Sequence, residues 1–338
     1  MLALLAAVLF GISTPLVQRA GESVGPFATA ALLYAGAALL GWLQRQPAAR
    51  EARLQRGDLQ RVSLMALFGA VLGPVALAWG LQRTSGAGAS LMLALEAVFT
   101  ALLARAFYGE ALDRRVQGAV LLLLAGAAAL VVDRGGSGGG TQVLGLLAVL
   151  LATAAWAVDN TLSRALAERD PAQVVLVKSA IGAAASTTLA LAWREPFPPV
   201  ASALALLVVG ASGYGLSLRL YLLAQRAFGA ARTGSVFAFA PFVGAMLAIG
   251  LGERGLSWFM LAGSVLMLAG VVLHLSERHG HRHGHERLEH EHAHRHDDGH
   301  HDHRHDPMPS GSHSHWHRHE PMEHSHPHVP DAHHTHRH

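Results

Sequence analysis

Five residues of reactive or ligating type stand inside stretches that are otherwise apolar: Glu96, Thr100, Asp159, Asn160 and Lys178. An ionised side chain at the centre of a bilayer costs roughly 2.5–3.5 kcal/mol on insertion scales, so a charge in such a place points to function. Glu96 falls near the middle of the apolar run 87–107, and Thr100, one helical turn later, shares its face. A carboxyl there can exchange a proton or release one to hold a cation. Asp159 and Asn160 lie toward the end of a second run, with Trp156 and Ser163 completing a polar stripe. Lys178 is the only lysine in the chain. It sits early in the following run, at a depth similar to that of Asp159, so an ion pair between them is expected to neutralise both charges and to act as a latch. The plainer alternative is that Lys178 snorkels to the surface while Asp159 ends its helix.

A second group of ligating residues is confined to the C-terminal end. All 24 histidines lie at His274 or later. They recur at every second position: His279, His281, His283 and His285, then His290, His292, His294 and His296, then His313, His315, His317 and His319. Neutral imidazole suits nickel, cobalt, zinc and copper, so the tail can bind such ions, although without cysteine or fixed geometry it cannot choose sharply among them. Asp, Glu, Ser, Gly, Pro and Arg fill the gaps and leave no apolar periodicity, so residues 277–338 are expected to be disordered.

The elements that must position the first group are membrane spans. Of 338 residues, 51% are hydrophobic and 14% charged, against the roughly 25% charged of soluble domains. A spanning helix needs about 20 mostly apolar residues. Ten such runs are found near 2–20, 27–43, 62–81, 87–107, 116–132, 143–162, 172–193, 201–222, 233–251 and 257–275. Pro15, Pro74 and Pro241 fall within them and permit kinks. Arg45, Arg50, Arg53, Arg56, Arg61, Arg114, Arg115, Arg164, Arg169, Arg226 and Arg232 occupy alternate connections, while the intervening ones hold only Arg19, Arg83, Arg134, Arg194 and Arg254. The positive-inside rule then places both termini in the cytoplasm of a multi-pass cell-membrane protein. Arg105 and Arg219 are expected to snorkel, and Gly69-x-x-x-Gly73 to serve helix packing alone.

The chain is internally repetitive. Gln82-Arg83-x-x-Gly86-Ala87 recurs as Gln225-Arg226-x-x-Gly229-Ala230, and Gly109-Glu110 as Gly252-Glu253, with the same offset of 143. The run GGSGGG at 135–140 reads as a flexible linker between a first unit, 1–134, and a second, 141–276. Five spans is an odd number, so the second unit enters the membrane from the opposite side. Inverted repeats of this kind are a frequent construction of secondary transporters.

Several segments carry a family resemblance: Phe10-Gly11-x-Ser13-Thr14-Pro15 in the first span, Glu96-Ala97-Val98-Phe99-Thr100-Ala101 in the fourth, Ala240-Pro241-Phe242 in the ninth, and Gly-Glu closing the fourth and ninth. In this set the chain resembles the EamA type of the drug/metabolite transporter superfamily over residues 1 to about 276. The resemblance implies an all-α membrane protein that moves a small solute. Family members generally carry a proline in the fourth span; here Ala97 or Val98 stands near that place, and Glu96 is the departure. Trp156-Ala157-x-Asp159-Asn160, Arg164, Asp170-Pro171, Lys178 and Gly229-Ala230-Ala231-Arg232-Thr233 resemble a narrower branch with members implicated in nickel or cobalt resistance.

The expectation is therefore a secondary transporter, an exporter working by alternating access, with a divalent transition metal slightly favoured over an organic or amino-acid-like metabolite. A membrane-embedded metal sensor or buffer that transports nothing is the reading of a different class. No nucleophile, base and orienting group recur at recognisable spacing, and no nucleotide-binding loop is present, which argues against an enzyme or an ATP-driven pump. No cofactor is required and no nucleic-acid partner is indicated; the expected surroundings are a lipid bilayer, with a homodimer compatible with the pattern.

Overall fold

The computed structural model describes residues 1–47, 50–108, 114–137, 139–166, 169–228, 230–253, 257–275, 280–285, 288–294, 313–319 and 322–327. Its helices are α1 (Leu2–Ala20), α2 (Pro26–Leu43), α3 (Leu59–Met65), α4 (Gly73–Leu81), α5 (Gly86–Met92), α6 (Glu96–Tyr108), α7 (Arg114–Ser137), α8 (Gly139–Ser163), α9 (Pro171–Ala192), α10 (Val200–Val209), α11 (Ser217–Phe228), α12 (Ala230–Phe237), α13 (Ala240–Gly250) and α14 (Trp258–Leu275). Among the described residues nine helical runs are long and apolar enough to cross a membrane. The remaining span is α12 with α13, broken at residues 238–239 where Pro241 enters the first turn of α13 without an N–H to offer. The expectation of one continuous helix over 233–251 is corrected there.

The other composite spans join without loops. A π-helical stretch, Ala66–Leu72, connects α3 to α4 in the third span, and another, Gly210–Leu216, connects α10 to α11 in the eighth. Their first residues are 144 apart. The fourth span passes from α5 to α6 through a single 3-10 turn, Leu93–Leu95, and that turn maps at an offset of 143 onto the end of α12 and the break in the ninth. Irregularities of this kind cluster at functional sites because they release backbone groups from the helical ladder.

Corresponding spans pack against one another. α2 lies along α9, α7 along α14, and α5 along α13, so the second span meets the seventh, the fifth the tenth, and one end of the fourth the same end of the ninth. Close approach depends on small residues. At the crossing of α1 and α13, a Cβ on Gly11 would sit 2.3 Å from the Ala240 carbonyl oxygen. Large side chains are instead turned outward, as in Leu121, Leu151, Val208, Met246 and Val265, each more than half exposed. That distribution suits a solvent of acyl chains, to which Leu and Val lose nothing by facing it.

The glycine run expected to be a flexible linker is helical at 135–137 and again from residue 139, with residue 138 outside the described set. Glycine's low helix propensity is overridden because the run continues two long apolar helices, α7 and α8. In the tail, expected to lack regular structure, four short strands are described: β1 (Gly280–His285), β2 (Leu288–His294), β3 (His313–His319) and β4 (Met322–Pro327). β1 pairs antiparallel with β4 and β2 with β3. The alternation of histidine with other residues has the period of a strand, which the absence of an apolar face had argued against.

Candidate functional site

The interior of the bundle holds two polar centres, built on adjacent residues of α8. Asn160 donates from Nδ2 to Glu96 Oε1 at the start of α6, linking the fourth span to the sixth. Asp159 Oδ2 accepts from Lys178 Nζ of α9. The two centres differ in access. The Asp159 and Lys178 side chains are 4% and 2% exposed, whereas Glu96, Thr100 and Asn160 are only partly covered. Lys178 therefore does not snorkel, because the third span closes over it.

That closure is made by the π segment of the third span, which packs against both α8 and α9. Gly69 lies so close to Asp159 that a Cβ there would fall 2.2 Å from its Oδ2. The Gly69 carbonyl oxygen accepts from Tyr34 Oη of α2 and from Trp156 Nε1 of α8, the latter at 3.0 Å. Gly69 thus does more than permit helix packing. Its lack of a side chain admits the ion pair, and its carbonyl fixes two aromatic side chains around it.

Around these centres stand six aromatic residues. Phe10 of α1 meets Trp156, Tyr214 and Phe237 at ring-centroid distances of 5.5, 5.8 and 5.3 Å. Tyr34 and Tyr214 are 5.6 Å apart, and Tyr221 and Phe237 5.0 Å. Tyr214 belongs to the π segment of the eighth span, so both π segments contribute to this wall. Tyr34, Tyr214 and Tyr221 escaped the sequence reading. The available signal was position: Tyr34 and Tyr214 lie well inside the apolar runs, away from the span ends where interfacial tyrosines collect, whereas Tyr221 stands next to the end of its run and gave no such signal.

Arg105, expected to snorkel, is exposed near the end of α6. Gly210, Gly213 and Gly215 are buried within the second π segment. Of the tail histidines, His281, His283, His285, His290, His292, His294, His313, His315, His317 and His319 lie in the strands, in a register that sets His290 opposite His317, His292 opposite His315 and His294 opposite His313. His279 and His296 lie outside the described residues. Among the described residues no group of three His, Cys, Asp or Glu side chains is disposed to hold a metal ion.

The EamA-like transporter family model matches residues 1–132 and again 143–276. An uncharacterized transporter of Methanothermobacter thermautotrophicus (strain Delta H) is 27% identical over 294 residues, covering 79% of this chain and 83% of that protein. A solved structure, described only as the crystal structure of a protein, is similar with a TM-score of 0.58 over 80% of this chain and 94% of its own, at 21% identity, which speaks to the fold alone. None of these matches singles out the nickel and cobalt branch. With nine helical runs among the described residues long and apolar enough to cross a membrane, and two matched segments that together take up most of its length, the chain belongs to the EamA-like transporter family of multi-pass membrane proteins and is a transporter, not an enzyme.

Proposed function

We propose that the protein is a secondary transporter of a small organic solute bearing an amino or ammonium group, which it exports by alternating access in exchange for protons. The observation that carries this reading is the unequal partnering of the two intramembrane carboxylates. Asp159 has the Lys178 ammonium as counter-charge, while Glu96 has only the neutral amide of Asn160 among the described residues. A carboxylate left without a cation in a low-dielectric interior is a seat for one supplied from solution, either a proton or the ammonium of a solute. The neighbouring rings of Phe10, Trp156, Tyr221 and Phe237 suit the apolar body of such a solute, and aromatic faces also attract organic cations.

The packing of the fourth and ninth spans supports a site open to one side. α5 packs along α13, whereas α6 makes no comparable packing with α12 among the described residues. The latter two are the halves nearer the face that carries the termini. We read that face as cytoplasmic from the arginine distribution, and the inverted halves as the units that exchange shape.

A metal cargo is the second reading, favoured by the histidine register of the tail strands. The spans argue against it, because residues 1–273 contain neither histidine nor cysteine, the donors that nickel, cobalt and zinc prefer. Thermal stabilisation of the purified protein by a panel of organic amines, amino acids and divalent metals tests the choice. Stabilisation by an amine that disappears in Glu96→Gln is expected; stabilisation by metals alone, retained in that variant, would reverse it.

A further inference from the structure

The connections at the two membrane faces contain corresponding groups with different partners. Glu51 and Glu195 are 144 apart, the spacing that relates the two π segments; Arg83 and Arg226 are 143 apart, and Gly25-Pro26 and Asp170-Pro171 are 145 apart. Near the termini, Glu51 accepts from Arg226 Nη1 at 3.1 and 2.9 Å. At the far face Glu195 does not pair with an arginine. Its carboxylate accepts from the backbone N–H groups of Phe27 and Ala28, at 3.1 and 2.8 Å, in the first turn of α2. Arg83 lies over the Trp79 ring, 3.7 Å from its centroid, and donates to the Trp79 carbonyl at 2.9 Å, with no carboxylate partner among the described residues.

The residue ahead of each helix explains the difference. α9 carries its own cap, since Asp170 Oδ1 accepts from Ala172 N at 2.9 Å. The corresponding residue before α2 is Gly25, which has no side chain with which to cap. Glu195 fills the vacated space, for a Cβ on Gly25 would lie 2.1 to 2.5 Å from its carboxyl atoms. The chain reaches this position through Arg194 at φ 55°, in the left-handed region that side-chain-bearing residues seldom adopt. Glu195 is thus a second-half residue bonded to the first half at the far face, reached through a strained backbone.

We propose that Glu195 is a two-position switch of the transport cycle, capping α2 in the conformation described here and moving to Arg83 in the oppositely facing one. This rests on the alternating-access reading above. When inverted halves exchange conformations, the contact that one half's connection makes in the first state is made by its counterpart in the second. The Glu51–Arg226 pair seen near the termini then defines what Glu195 and Arg83 form at the far face. Exchanging one charge-assisted contact for another keeps the two states close in free energy, as a carrier that cycles requires.

The chain has no cysteine, so Thr100→Cys is a unique reporter of which face reaches the Glu96 site. It would be labelled in oriented membranes with an impermeant maleimide from either side, in three backgrounds. The parent is expected to react mainly from the face of the termini. Gly25→Asp, which gives α2 its own cap and evicts Glu195, is expected to raise labelling from the far face several-fold; adding Arg83→Gln, which removes the second seat, is expected to reverse that rise. Should Gly25→Asp fail to reach the membrane, Arg83→Gln alone is expected to depress far-face labelling below the parent. Labelling that depends on the face but ignores these substitutions would overturn the switch. A reporter that reacts from neither face in any background would overturn the alternating-access reading and the switch with it.

Discussion

Asp159 and Asn160 are adjacent in α8 yet serve opposite sides of it: Asp159 turns to Lys178 under the π segment of the third span, and Asn160 turns to Glu96 in the fourth. A single step along α8 thereby separates a carboxylate that is neutralised by the protein from one that is not. The first is structural in character. The second has only the Asn160 amide beside it among the described residues, and on the proposed reading takes its cation from outside.

Glu96→Gln keeps the shape of the side chain and its hydrogen-bonding capacity toward Asn160 while removing the negative charge. The variant should reach the membrane and run as a monodisperse species, with solute flux in proteoliposomes reduced at least a hundredfold. Flux equal to that of the parent would remove Glu96 from the transport step.

The buried pair should behave as a unit. Removing one member leaves the other as an unpaired buried charge, which costs about 3–5 kcal/mol. Asp159→Asn and Lys178→Met should therefore each lower the melting temperature in detergent markedly, while the double substitution should recover a large part of the loss. Its flux should exceed that of the worse single variant. Additive losses in melting temperature would show that the two side chains contribute independently.

Gly69→Ala tests whether the third span is shaped around that pair. A methyl group there would press on the Asp159 carboxylate, and overpacking of this kind costs about 1–3 kcal/mol. Lower stability is expected, together with a change in Trp156 fluorescence, because the indole N–H donates to the Gly69 carbonyl. An unchanged melting curve and spectrum would mean that the site has room which the geometry denies.

The spans and their polarity were legible in the sequence because a bilayer leaves a simple record: long apolar runs, and charges rare enough that Glu96, Asp159 and Lys178 stand out. The partnering was less legible. Depth placed Lys178 beside Asp159 but could not choose between a pair and a snorkelling side chain, since that depends on the third span covering both. Gly69 read as packing alone, because π geometry has no compositional signature. The tail's alternating histidines carried a strand period that its lack of an apolar face concealed.

Truncation after Ser276 separates the tail from the bundle. The shortened protein should insert and carry its solute at the parental rate, while cells producing it should show altered nickel, cobalt or zinc content and weaker metal tolerance. Identical metal contents with and without residues 277–338 would leave the histidines without a part in metal handling.

Whether Glu96 receives an ammonium-bearing organic solute at the middle of the membrane is decided by counterflow in proteoliposomes loaded with an unlabelled amine panel. Transient accumulation of a labelled amine is expected with the parent protein and none with Glu96→Gln, without competition from nickel, cobalt or zinc. Accumulation of a labelled transition metal, undiminished in Glu96→Gln and indifferent to every amine, would contradict it.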